Sequence, residues 1–166
     1  MLDIDGVISL FGPFSGGTPA GEGVEGSFHS IEGIPHFLSS TAAAHLLALA
    51  DLYEIVWASG WEERAEEHLP HLLGLPAGLA FLRFPTRARA MRSANAHWKL
   101  EAIGTFARER PLAWVDDALD DSCRHWAAAR PHPTLLVQTS PRLGLTAREA
   151  DQLRAWALSL QAARGG

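Results

Sequence analysis

The chain has 166 residues, 47% hydrophobic and 20% charged, with a net charge of -5 and Cys123 as its one cysteine. That length suits a single domain, residues 1–166, that buries its own core, and the lone cysteine excludes an internal disulfide and the C-x-x-C metal and redox motifs. The composition also excludes a membrane span of ~20 apolar residues and a broad basic surface for long nucleic acids, so the expectation is a cytoplasmic protein with no membrane and no obligate protein partner.

Met1-Leu2-Asp3-Ile4-Asp5-Gly6-Val7 reads as a strand end that turns into a loop at Gly6. Alternation along a strand points Asp3 and Asp5 one way and Leu2 and Ile4 the other. Two carboxylates this close in a partly buried cleft need a counter-cation, and hard oxygen ligands suit magnesium. A turn that is simply rich in aspartate is the plainer alternative. Only two residues precede Asp3, where a strand usually has about five or six. Either the native chain begins earlier or its first strand is very short, and apolar residues restored upstream are expected to raise stability.

Residues 11–37 form a Gly-rich loop and flap. Gly and Pro deny residues 11–26 a helix or a central strand, and Pro35 limits any strands within Ser27 to Phe37. Thr41 to Tyr53 has helical spacing, with Ser39, Ser40 or Thr41 as cap. Glu54 to Ala58 is a buried parallel strand running into Ser59-Gly60, a strand-to-helix turn suited to an anion. Trp61 to Leu73 is helical, ended or kinked by Pro70. His68 and His71 lack a third metal ligand.

Leu79 to Leu82 is a further short strand, and the loop from Pro85 to Asn95 carries Arg87, Arg89 and Arg92. A helix from Ala96 to Arg108 places Lys99, the sole lysine, near its start. Leu112 to Val115 is a buried strand that ends in Asp116-Asp117, and ligands gather at such carboxyl ends in open α/β sheets. Ala118 to Arg130 is helical and Thr134 to Val137 extended. Thr146 to Ala163 is a helix with Thr146 and Glu149 as capping box and Leu153, Trp156, Ala157 and Leu160 as its apolar stripe. Alternating strands and helices predict an α/β fold with a mainly parallel sheet.

Asp-x-Asp-Gly-Val at 3 to 7, Ser59-Gly60 after a hydrophobic strand, one lysine at 99 and Val-Asp-Asp at 115 to 117 resemble, in order and place, the haloacid dehalogenase (HAD) superfamily of phosphohydrolases. Trp57 to Trp61, His97-Trp98-Lys99 and Ala113 to Asp117 are similar to compact bacterial HAD domains, some of them related to modules found with RNA-repair enzymes. The resemblance implies a Rossmann-like three-layer α/β sandwich with little or no cap. It implies that Asp3 is the nucleophile, Asp5 the general acid and base, Ser59 a phosphate ligand and Lys99 the neutralising cation. It implies a magnesium site at Asp3, at the Asp5 main-chain carbonyl and at Asp117, with Asp116 ligating or supporting and Asp121 at the family's second aspartate. Gly60 and Trp61 join Ser59 and Lys99 as substrate contacts. The expected activity is magnesium-dependent phosphatase on a small phosphomonoester or a nucleic-acid end. A phosphotransferase and a catalytically inactive binding module are the alternatives.

Overall fold

In the computed structural model, residues 1–12, 14–15, 18–19, 23–85 and 95–165 are described. The loop carrying Arg87, Arg89 and Arg92 falls outside them.

Hydrogen bonding at the start of the chain sets the frame. Leu2 bridges in parallel to both Trp57 and Val115. Its N–H donates to the Val56 carbonyl at 2.9 Å, its carbonyl accepts from Ala58 at 2.8 Å, and the Asp3 N–H reaches the Val115 carbonyl at 3.0 Å. Leu2 thereby joins two parallel pairs, β6 (Val56–Trp57) with β7 (Ala80–Phe81) and β8 (Leu112–Asp116) with β9 (Thr134–Gln138). Across the sheet the order is β7, β6, Leu2, β8, β9.

Side chains leave this sheet on both faces, as a buried parallel sheet requires. Leu2, Trp57, Ala113 and Val115 enter one cluster with α1 (Ser40–Leu49), α2 (Glu63–Leu73) and α5 (Ala147–Gly165). Val56, Leu112 and Trp114 enter another with α3 (Leu100–Ala107) and α4 (Asp121–Ala129). The chain is thus a mixed α/β fold with parallel strand pairs. Among the described residues no helix is long and apolar enough to cross a membrane.

Beside the sheet, β1 (Ser9–Leu10), β4 (Gly26–Ile31) and β5 (Ile34–Ser39) make an antiparallel flap in the order β1-β5-β4. Glu32 and Gly33, both at positive φ, form the two-residue turn that matches the twist of a hairpin. A shorter antiparallel pair joins β2 (Phe14–Ser15) to β3 (Thr18–Pro19).

Three expectations are corrected. Pro35 does not cut the flap short: β1 reaches only Phe37 and Leu38, so β5 is an edge at Pro35 and its missing N–H breaks no second ladder. Pro70 does not end α2, which runs to the expected Leu73 and stops at Gly74 in the left-handed conformation. Leu69 and Leu75, buried on either side of the proline, anchor the segment in the core. Asp3 and Asp5 do not alternate along a strand. The chain leaves the sheet after Leu2, and the Ile4 carbonyl gathers the N–H groups of Val7, Ile8 and Ser9 in one tight turn.

Candidate functional site

The sheet's carboxyl edge opens into a cavity of about 390 Å³ lined by Asp3, Asp5, Ser59, Lys99, Asp116 and Asp117, with Gly60 and Trp61 beside them. The acids and Ser59 come from the points where strands or turns end, and Lys99 from a 3-10 turn.

Lys99 is the centre of the arrangement. It closes a 3-10 turn, Ala96–Lys99, and is 3% exposed, with its Nζ 2.7 Å from both Asp3 Oδ2 and Asp116 Oδ2. Burial works against its charge, but Asp3 and Asp116 together outweigh that and raise its pKa. Asp116 is fully buried, and it also accepts from Trp114 Nε1 at 3.2 Å and from the Ala118 N–H at 3.0 Å. Its pKa is raised by burial first and by Asp3 next, against the pull of Lys99.

Asp117 is less enclosed, and burial followed by the charges of Asp3 and Asp116 pushes it up to about 6. Its carboxylate rests against Gly6, which has φ +70°, and a Cβ built there would lie 2.3 Å from Asp117 Cγ. Glycine at position 6 therefore serves both the turn and the close approach.

Asp3, Asp116 and Asp117 each offer a carboxylate oxygen, and these atoms lie within 4.8 Å of one another. Three carboxylates against one ammonium leave excess negative charge in a half-closed site. All-oxygen ligands of that kind fit a hard divalent cation. The Asp5 carboxylate stands outside the trio and accepts from Trp61 Nε1 at 3.1 Å.

Ser59 Oγ is buried without a hydrogen-bond partner in the described structure. It caps no helix: α2 begins at Glu63, and Ser59 contributes only its carbonyl, to the Glu62 N–H at 3.1 Å. A buried hydroxyl left unsatisfied beside a polar cavity is free to donate to a ligand oxygen.

Asp121 is not brought to the site. It sits in the first turn of α4 with a side chain 88% exposed, 3.2 Å from Arg124. The helix starts three residues later than its periodicity suggests, because Asp120 takes the cap and accepts from the Cys123 N–H. Cys123 is buried, which pushes its thiol up to about 11.

The cavity has further walls that sequence reasoning missed. His36 from β5 packs edge-on against Trp61 at 4.8 Å and shares a hydrogen bond of 2.9 Å with Ser9. Burial and then Arg64 lower its pKa. Arg64, from the first turn of α2, reaches Glu32 in the flap turn at 2.7 Å. Trp98 and Asn95 complete the opposite side. Arg64 had one available signal, its helical position a turn after Ser59-Gly60. His36 had none, since it arrives by hairpin pairing.

A family model described as "HAD domain in Swiss Army Knife RNA repair proteins" matches residues 1–150. No curated protein and no solved structure matches the chain.

Proposed function

The chain belongs to that family of HAD domains in RNA repair proteins, and from this premise we propose that it is a magnesium-dependent phosphatase hydrolysing a phosphomonoester through an aspartyl-phosphate on Asp3. The family's description favours the phosphorylated end of a polynucleotide as substrate. The strand order, with helices on both faces, supports reading the fold as a Rossmann-like three-layer sandwich whose cover, among the described residues, is the flap.

One observation carries the proposal: a buried lysine bridges Asp3 and Asp116 beside Asp117 and an unpartnered serine hydroxyl. Asp3 attacks phosphorus, and the bond to the leaving alcohol breaks as Asp5 gives that oxygen a proton. Asp5 then takes a proton from water, whose oxygen attacks phosphorus and frees Asp3 and inorganic phosphate. Trp61 Nε1 orients the Asp5 carboxyl for both transfers. Ser59 Oγ donates to a phosphoryl oxygen, beside the Gly60 backbone, and Lys99 neutralises charge shared between Asp3 and the phosphoryl group. Asp117 and Asp3, with the Asp5 main-chain carbonyl, would hold magnesium, which supplies positive charge opposite the phosphoryl oxygens. Asp116, held by three donors, keeps Lys99 in place.

The test is phosphate release from small phosphomonoesters and from 5′- and 3′-phosphorylated oligonucleotides, with and without magnesium. Release that needs magnesium and disappears in Asp3→Asn supports the reading. Release from a folded protein that survives Asp3→Asn rejects it.

A further inference from the structure

Trp98 lines the catalytic cavity and also a second concavity of about 780 Å³. Three arginines, Arg83, Arg108 and Arg110, line that second groove against a single acid, Glu101, in a chain whose net charge is -5. Arg110 is paired with Glu54 at 2.6 Å and Arg83 with Glu63 at 3.5 Å, so among the described residues Arg108 is the groove's arginine without an acidic partner, in a molecule that is acidic as a whole.

Aromatic rings accompany the charges. The Arg83 guanidinium carbon lies 5.2 Å from the Phe81 ring centroid, and that of Arg110 lies 5.0 Å from the Phe106 centroid. Trp98 meets Phe84 edge-on at 4.6 Å. The arginines are open to solvent. Arg83 holds Glu63 only at 3.5 Å with both side chains exposed, a contact that an incoming anion displaces at little cost. Arg108 is exposed, and its guanidinium has no partner among the described residues.

We propose that this groove binds the body of a single-stranded polynucleotide whose phosphorylated end enters the catalytic cavity past Trp98. The substrate assignment rests on the phosphatase reading, whereas the binding surface does not. Arginines spaced among rings match a strand that alternates phosphates with flat bases: the charges take the backbone, and the rings and guanidinium planes take base faces. A duplex hides those faces in its stack and uses only the charges.

The test uses fluorescence anisotropy with an unphosphorylated, dye-labelled single-stranded RNA of about ten nucleotides and the corresponding duplex. The proteins are the wild type, Arg83→Glu/Arg108→Glu and the milder Arg83→Gln/Arg108→Gln. Both positions are exposed, and circular dichroism verifies that the variants fold. The expected result is single-strand binding that weakens with salt, is tighter than duplex binding, and falls about tenfold or more in the Glu pair and less in the Gln pair. The slope of log affinity against log salt should shrink by about 1.4 for two lost phosphate contacts. Hydrolysis of p-nitrophenyl phosphate should stay unchanged.

No single-strand binding by the wild type, equal affinity in the folded variants, or duplex binding as tight as single-strand binding overturns the groove. The two readings fail separately. Arginine-dependent binding without phosphate release keeps the groove and rejects the phosphatase, and release with arginine-independent binding does the reverse.

Discussion

Lys99 is the shared cation of two buried carboxylates. Replacing it with methionine leaves Asp3 and Asp116 buried side by side without their shared cation, and breaking a buried ion pair typically costs about 3–5 kcal/mol. Lys99→Met should therefore unfold at markedly lower denaturant than wild type, and added magnesium should recover part of the loss. Asp117 gives a second residue-scale expectation. Its folded pKa of about 6 lies above the usual carboxylate value of 3.8, so the folded chain keeps a proton there that the unfolded chain releases. That contribution to metal-free stability is complete below about pH 4 and is lost as pH rises through about 6. Thermal melts of wild type against Asp117→Asn, without divalent metal, should show the wild type losing ground over that window, with magnesium reversing the trend above it. The acids were legible because they fell where strands end, and the lysine because it is the sole one and lies near a helix start. Asp121 was misread because its neighbour Asp120 takes the helix cap, a choice that periodicity does not reveal.

Turns and short elements hold these groups in place. Gly6 has φ +70° and leaves no room for a Cβ beside Asp117. Gly6→Ala must strain the turn, at about 1–3 kcal/mol, or push the Asp117 carboxylate away. Magnesium affinity measured by calorimetry should drop at least about tenfold, more than the loss of stability alone accounts for. The flap turn meets α2 through Glu32 and Arg64, an exposed pair expected to add less than about 1 kcal/mol. Its consequence is functional. Arg64 lines the cavity, so Arg64→Ala should raise KM for a phosphomonoester several-fold with kcat nearly unchanged, while Glu32→Gln should leave the melting temperature and KM close to wild type. Helices were legible from their apolar spacing, even α2, whose proline suggested an earlier end. The flap was legible only in outline, because strand pairing between Gly26 and Ser39 depends on a turn of positive φ that Glu32-Gly33 does not announce.

Across the whole molecule, the first three residues join the two halves of the sheet. Leu2 is hydrogen-bonded on both sides, and with Met1 and Asp3 bonded to β8 beside it, this segment brings β6 and β8 together among the described residues. This is what gathers Asp3, Ser59 and Asp116 at one edge. The sequence supplied the strands and their buried character, and through them the α/β class. It could not supply the sheet order, since Leu2 lies over fifty residues from one partner and over a hundred from the other. The groove beside Trp98 was likewise invisible, because its arginines and rings come from β7, the loop after it, the 3-10 turn, α3 and the turn that follows α3.

The central claim is that phosphate passes through a covalent bond to Asp3. The direct measurement is an acid quench of the enzyme turning over a radiolabelled phosphomonoester with magnesium, followed by peptide mapping. The account predicts label on the peptide that contains Asp3, and none in Asp3→Asn. Phosphate release with no labelled protein, or label on a peptide from elsewhere in the chain, would contradict it.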